Sequence, residues 1–591
     1  MNSNCYLNKL ERKRIGSIYT PSLLSDYVSE KTAYYFFKSN KKISNTNQYK
    51  LSIVDPACGN GQLLLSLNNV LQNIYIDNSP LNNIEYYGFD IDKKAINNAK
   101  KYFNIIKYPN AACRYFNKDS LAPDMKTDSF TYWKDLLIKF NLPLGFDILI
   151  ANPPWGSDFE EDILNSIRKD FSLATGQFDS ADLFVELALH IVRPGGIFSF
   201  ILPDSLFNNE RRVLRGLLLK NTQIMFISRL GERIFKDVNR ACSIIICKNT
   251  TNNITKRRNL VDCFRLHHGY RNNILNNKNS LKEADSLFSH KVSQDRFFNN
   301  ADYAFDIDLK SYEEKLINII CNSYKRFKTD LKNYRGVELS KSGKVIRCEE
   351  CGMWLPRPRR NKPTCSHCGF SYELAGCLSD VIVTSEPSVK SVPLITGEDV
   401  KRYHIINRKF LRIDYPGIQY KDSTIYNGPK LLIRKTGVGI TAAIDYSNSF
   451  TNQVVYIFKL KDKQNNFPLE LYLGILNSRL MYFYMAKKFG ETEWRSHPYL
   501  TQKQILDIPF PPINSTNCSS KTILWIEKII KDLHHNDSQL TPEDDARLES
   551  YVANLYGINK NEYKYIYDLI NTSQDLIPLK PLRQVSISDI F

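Results

Sequence analysis

LSIVDPACGNGQLLLSLNNVLQNI, residues 51–74, is the stretch on which the fold turns. LSIVDPA (51–57) reads as an apolar strand running into a glycine-containing turn, and GQLLLSLNNVLQNI (61–74) as the helix that leaves it. Gly59 and Gly61 let the backbone turn sharply and approach a ligand, with the helix N-terminus beside it. The turn lacks the Lys-Ser/Thr of a phosphate loop, which argues against nucleoside triphosphate chemistry. Outward from it the same rhythm repeats. IEYYGFDID (84–92) is a second strand ending in carboxylates, ACRYFNKDSL (112–121) contains a third, and FDILIANPPW (146–155) a fourth. IFSFILP (197–203), QIMFISRL (223–230) and ACSIIICKN (241–249) follow, with amphipathic helices between. Alternating strands and helices predict a mostly parallel sheet covered on both faces, whose ligands bind at the carboxyl ends of the strands.

The unusual residues fall at those ends. Asp90 closes the second strand at the distance where an acid accepts ribose hydroxyls, and Asp119 after the third is placed to accept from an adenine amino group. Asn152-Pro153-Pro154-Trp155 ends the most apolar strand. Two consecutive prolines stop the ladder and stiffen an extended backbone. Such a corner suits the Asn152 side-chain carbonyl and the Pro153 carbonyl as joint acceptors for one amino group, its nitrogen lone pair aimed at a methyl donor. Trp155 offers a flat face for a planar base.

GSIYTP, DPACGNGQ, GFDID, KDS and NPPW, in this order, resemble the gamma-class (TaqI-like) DNA adenine-N6 methyltransferases of restriction-modification systems. The resemblance covers the first 250 residues closely and the rest loosely. It implies that Tyr19, Thr20 and Pro21 flank the methionine part of S-adenosylmethionine, and that Asp55, Pro56 and Ala57 line the cofactor with Gly59 and Gly61. Asp90 would take its ribose and Asp119 its adenine amino group; Asn152, Pro153, Pro154 and Trp155 would hold a flipped adenine, with Phe235 of LGERIF as the second stacking partner. Trp155 stands where many members have Tyr, and Asp90 where many have Glu. The implied reaction is direct methyl transfer to the amine with no covalent enzyme intermediate, so Cys58 and Cys113 are read as core thiols. RNA or protein-glutamine methylation by the same tetrad, cytosine-N4 methylation and a non-catalytic DNA-binding subunit are the competing readings.

RCEECGMWLPRPRRNKPTCSHCGF (347–370) pairs Cys348 with Cys351 and Cys365 with Cys368, a spacing that predicts tetrahedral thiolate coordination of one structural zinc. Arg357, Arg359, Arg360 and Lys362 between the pairs are candidates to face phosphates. GPKLLIRKTGVGITAAID (428–445) and PYLTQKQILDIPFPP (498–512) resemble the TaqI-like specificity domain, with Arg434 and Lys435 as candidate DNA contacts. The expected class is α/β: a Rossmann-like S-adenosylmethionine-dependent methyltransferase domain with a C-terminal mixed α/β target-recognition region carrying a zinc ribbon. The expected boundaries are residues 1–250 for the catalytic domain and 251–330 for a linker and helical connector. The target-recognition domain follows at 331–515, with its ribbon at 345–372, and a helical tail at 516–591. Glu313-Glu314-Lys315 is read as a solvent face rather than a nuclease triplet, and the short segment before GSIYTP leaves no room for a nuclease upstream.

Composition bounds the partners. In 591 residues, 80 Lys+Arg against 62 Asp+Glu give a net charge of +18, favouring a polyanion such as double-stranded DNA. A separate restriction endonuclease or defence-system subunit is a further expected partner. At 42% hydrophobic and 24% charged, the chain is globular rather than disordered. Cysteines scattered singly in apolar runs, the lack of an apolar signal core and the lack of a spanning segment predict a soluble, cytoplasmic protein with no membrane partner.

Overall fold

The computed structural model describes residues 20–40, 49–75, 83–105, 111–124, 126–156, 159–176, 178–235, 240–323, 325–340, 342–358, 364–371, 373–374, 376–406, 409–437, 439–461, 467–489, 500–513, 520–535, 540–572 and 587–590. The chain forms two compact units, Met1–Lys310 and Ser311–Phe591.

In the first unit the strands are β1 (Lys50–Asp55), β2 (Asn83–Asp90), β3 (Ala111–Asn117), β4 (Phe146–Ala151), β5 (Val192–Pro203), β6 (Thr222–Gly231), β7 (Cys242–Asn249), β8 (Leu260–Arg265) and β9 (His290–Ser293). Its helices include α1 (Ser22–Ser39), α2 (Gln62–Tyr75), α3 (Lys93–Ile105), α4 (Ser129–Lys139), α5 (Glu161–Asp170), α6 (Ser180–Ile191) and α7 (Arg212–Asn221). All nine strands make one sheet in the order β3-β2-β1-β4-β5-β7-β6-β8-β9. The first five are mutually parallel, and β7 runs antiparallel to both of its neighbours. All six residues of β4 are buried, which is why its sequence reads as one apolar run. Its single acid, Asp147, is satisfied by the Ser52 amide (2.9 Å), the Ser52 hydroxyl (2.8 Å), Arg193 Nε (2.6 Å) and the Tyr49 hydroxyl. α1 crosses the sheet and is pinned by Thr32 Oγ1 donating to Ser199 Oγ at 2.7 Å and Tyr35 to Asp262 at 2.7 Å.

The catalytic-domain boundary expected at residue 250 falls inside this sheet. The Asn- and Lys-rich segment read as a connector supplies β8 and β9, which pair in register with β6 and with each other, as in Phe226↔Asp262 and Val261↔Val292. Within β8 and β9, Val261, Cys263, Phe264 and Val292 are buried while Leu260 is exposed, so a low apolar content concealed a sheet extension.

The second unit contains a four-stranded sheet of β10 (Leu331–Arg335), β17 (Lys430–Arg434), β18 (Ala442–Asp445) and β20 (Val455–Leu460). Another four-stranded sheet joins β14 (Val383–Thr384), β15 (Ser391–Ile395), β16 (Lys409–Arg412) and β19 (Phe450–Thr451). A three-stranded ribbon is made by β11 (Lys344–Arg347), β12 (Trp354–Pro356) and β13 (Ser379–Val381). Helices α8 (Ser311–Ile320), α9 (Leu469–Asn477), α10 (Arg479–Phe489), α11 (Ser520–His535), α12 (Pro542–Leu555) and α13 (Lys560–Thr572) pack in the same unit. The helices after 516, expected as a separate tail, are built into it: Arg402 and Arg479 form buried ion pairs with Asp545 (2.7 and 3.1 Å) and Glu549 (3.3 and 3.0 Å) of α12. Glu313 departs from its expected solvent face. It is fully buried, paired with Lys487 at 2.8 Å and accepting from the Tyr565 hydroxyl at 3.0 Å. Among the described residues no helix is long and apolar enough to cross a membrane.

Candidate active site

Four successive strand ends meet along one edge of the first sheet. Asp55 ends β1, Asp90 ends β2, Asp119 lies two residues beyond β3, and Asn152 is the first residue after β4. The turn after β1 is tied by the Cys58 amide to the Phe89 carbonyl at 2.8 Å and by the Gly61 amide to the Cys58 carbonyl at 2.8 Å. Gly59 and Gly61 both have positive φ, 52° and 83°, and a Cβ on Gly61 would meet the Tyr115 hydroxyl at 3.0 Å and Ala99 at 3.2 Å. Asp55 is buried and accepts from the Ala57 amide at 2.9 Å. Asp90 accepts from the Gly59 amide through Oδ2 and from the Asp92 amide through Oδ1, both at 2.8 Å, so the second strand end holds the first turn in place. The third strand end joins them where the Ser120 hydroxyl donates to the Pro56 carbonyl at 2.6 Å. Asp119 spends Oδ1 on the amides of Leu121 (2.8 Å) and Ala122 (3.3 Å); its Oδ2 has no protein partner among the described residues.

Burial pushes the Asp55 carboxyl well above its ordinary range, and the neighbouring Asp90 charge adds to the shift. Burial raises Asp90 as well. The Asp90 charge raises Asp55, and the Asp92 and Asp119 charges raise Asp90, so a cation bound beside these acids would favour their ionised forms. The cysteines there are the reverse of nucleophiles: burial lifts the Cys58 thiol well above its usual value and the Cys113 thiol to about 12.

The Asn-Pro-Pro-Trp corner is braced from α6. Asp179, which caps that helix through the Ala181 amide, also accepts from the Gly156 amide at 2.9 Å, and Ser180 donates to the Pro154 carbonyl at 2.6 Å. Asn152 Nδ2 donates to Thr20 Oγ1 at 3.0 Å, which turns Oδ1 away from Thr20. Thr20 and Pro21 are half-buried, and the Pro21 carbonyl accepts the Leu24 and Ser25 amides that open α1; Tyr19 lies outside the described residues. The bracing by Asp179, Ser180 and Thr20 went unread in the sequence, although Asp179-Ser180-Ala181-Asp182 carries the capping-box pattern that announces a helix start.

The expected aromatic faces are brought together but turned inward. Trp155 is 3% exposed and Phe235 2%, and the two rings meet edge to face with centroids 5.3 Å apart at 84°. A base held between parallel rings needs about 7 Å, two van der Waals spacings. The pair is buried in the edge-on arrangement that aromatic quadrupoles favour.

In the second unit the four cysteines converge. Their sulfurs lie within 4.8 Å of one another, with Cys348–Cys368 at 3.7 Å and Cys351–Cys365 at 3.8 Å. A tetrahedron with metal–sulfur bonds of about 2.3 Å has edges of about 3.8 Å. Each pair sits on the same knuckle: the Cys348 amide bonds the Met353 carbonyl (2.9 Å) and Cys365 that of Phe370 (2.8 Å), while Gly352 and Gly369 donate back to Cys348 (2.9 Å) and Cys365 (3.0 Å). Arg357 is exposed; Arg359, Arg360 and Lys362 lie outside the described residues. Arg434 and Lys435 are half-buried at the end of β17.

Comparison with known proteins follows the same division. The N-6 DNA methylase family matches residues 5–326, and the TaqI-like C-terminal specificity domain matches residues 392–510. The chain is 31% identical over 226 residues to the Type II methyltransferase M.BanIII of Aneurinibacillus aneurinilyticus, covering 38% of this chain and 36% of that one. It is 24% identical over 243 residues to the Type I restriction enzyme EcoEI methylase subunit of Escherichia coli, covering 40% and 46% respectively. It therefore spans less than half the length of either relative. The Type IIL restriction-modification enzyme MmeI, solved in complex with DNA, is 14% identical with a TM-score of 0.53 over 97% of this chain and 80% of that one, a likeness of fold. With more than half its length matched, the chain belongs to the N-6 DNA methylase family.

Proposed function

We propose that this protein is a site-specific DNA adenine methyltransferase, moving the methyl group of S-adenosylmethionine to the N6 amine of an adenine flipped out of duplex DNA. We place it as the modification part of a restriction-modification or related anti-phage system. One observation carries the reading: the glycine turn, Asp90, Asp119 and the Asn152 corner share one sheet edge, where hydrogen bonds join the turn to Asp90 and to Ser120 beside Asp119, and Asn152 to Thr20. The residues fit the cofactor. Asp119 Oδ2 is available to an adenine amino group, and the acids that end β1 and β2 are unsuited to a triphosphate. When bound, the cofactor supplies an activated methyl carbon.

The chain's own residues do the rest. Asn152 Oδ1 and the Pro153 carbonyl accept the two hydrogens of the target amine, so that its lone pair points at the donor. Thr20 holds the Asn152 amide in the orientation this requires. Pro153 and Pro154, braced by Ser180, keep the corner from yielding as the amine becomes pyramidal. Trp155 and Phe235 part to admit the base, exchanging their edge contact for two stacked faces. Nothing here requires a covalent bond to the enzyme, and the raised thiols of Cys58 and Cys113 suit that.

The four cysteines we read as a closed structural zinc site, the sulfur separations and the paired knuckles supporting it. Modified-base sequencing of DNA from cells producing the protein tests the function. N6-methyladenine at one recurring sequence, lost in Asn152→Ala, is expected. N4-methylcytosine instead, or unmodified DNA beside methylated RNA or protein, would overturn it.

A further inference from the structure

The ribbon falls between the two family matches, after residue 326 and before residue 392, so neither assigns it a task. Its surface is unusual in two respects. Residues 344–372 hold six Lys and Arg against two acids. Lys344, Arg347 and Arg357 are all exposed, and among the described residues none of the three is paired with a carboxylate; Arg347 Nε donates to the Gly352 carbonyl at 3.1 Å. Lys344 and Arg357 also face each other. The Arg357 amide bonds the Lys344 carbonyl at 2.9 Å, extending the β11–β12 ladder one step past Val345↔Pro356. Like charges set opposite across a ladder repel, and a polyanion laid against them removes that repulsion.

We propose that the ribbon is a backbone clamp on double-stranded DNA, with Lys344, Arg347 and Arg357 neutralising phosphates without reading bases. The inference rests on the DNA reading above and adds a second grip outside the matched specificity domain. Cations on a rigid ribbon suit this: contacts to phosphate set register and strength, and leave the choice of sequence to groove-facing side chains elsewhere. The two exposed apolar tips, Met353 (38%) and Phe370 (41%), at equivalent positions of the knuckles, are the feature that a protein partner would use instead.

The test measures the affinity of the full chain for two duplexes, with and without the methylated sequence, across a salt series. Each neutralised phosphate adds about 0.9 to the slope of log affinity against log salt. Lys344→Ala/Arg347→Ala/Arg357→Ala is expected to flatten that slope by about 2.7 on both duplexes, shrinking the affinity lost between about 50 and about 200 mM salt by about 40-fold. The zinc content and the methylated sequence stay as in the parent. Met353→Ala/Phe370→Ala keeps the parent slope. An unchanged slope in the triple variant, a loss confined to the duplex with the methylated sequence, or a slope that follows the apolar tips overturns the clamp. Were the DNA reading itself at fault, the parent protein would bind neither duplex and methylate neither, a different outcome.

Discussion

The cysteine cluster and the aromatic corner are both candidate binding sites, and they stand in opposite states. Two of the sulfur pairs already sit at the edge length of a metal tetrahedron, whereas Trp155 and Phe235 close on each other edge to face. Both knuckles are local: each is fixed by hydrogen bonds within six residues, so little but the ion is left to add. The corner is assembled from strand ends far apart in sequence, and its apolar members gain by burying each other until something better arrives. Preformation costs little where the groups lie close in sequence, and two neighbouring aromatic rings gain by burying each other.

Removing the metal should break this contrast most. One zinc per chain is expected by elemental analysis, and chelation should collapse the ribbon, since structural sites of this kind are held with an apparent 10–16 kcal/mol, order of magnitude. A metal-free protein with an unaltered melting profile would end the zinc assignment. Next in size is Asn152→Ala. Losing the acceptor that orients the amine should lower the methylation rate at least ~100-fold while calorimetry finds cofactor affinity within a few-fold of the parent.

Trp155→Ala tests whether the closed pair opens. It should weaken binding of a duplex whose target adenine is mispaired by about 1–3 kcal/mol, with Trp155→Phe recovering part of this. The difference in emission between the parent and Trp155→Phe should change when that duplex is added; a constant difference means the rings never part. Thr20→Val is the subtlest. Loss of one neutral hydrogen bond should reduce kcat about 2- to 12-fold with the KM for the cofactor little changed, and Thr20→Ser should restore it. A change in KM alone would mean that the hydroxyl holds the cofactor rather than Asn152.

Much of the first unit was legible because its strands are short, apolar and separated by clear helices; β1, β2, β4 and β5 fall where LSIVDPA, IEYYGFDID, FDILIANPPW and IFSFILP indicated. The edge pair β8–β9 was not, since an edge strand needs only a few buried residues and the polar ones around them dominate the pattern. Glu313 misled for a related reason: charge alternation on a helix looks the same whether the acid meets water or a half-buried lysine 174 residues on. At the site, residue identity could be read but posture could not. The sequence named Trp155 as a face for a base; only packing reveals that its ring is buried and meets Phe235 edge to face.

The four-membered charge network of Arg402, Arg479, Asp545 and Glu549 bears on how this chain can be re-engineered. A chimera that kept the specificity segment but was trimmed before α12 would strand two guanidinium groups in an apolar interior, each at about 3–5 kcal/mol. Grafts that exchange target preference between relatives should therefore carry everything from residue 311 through α13 as one cassette.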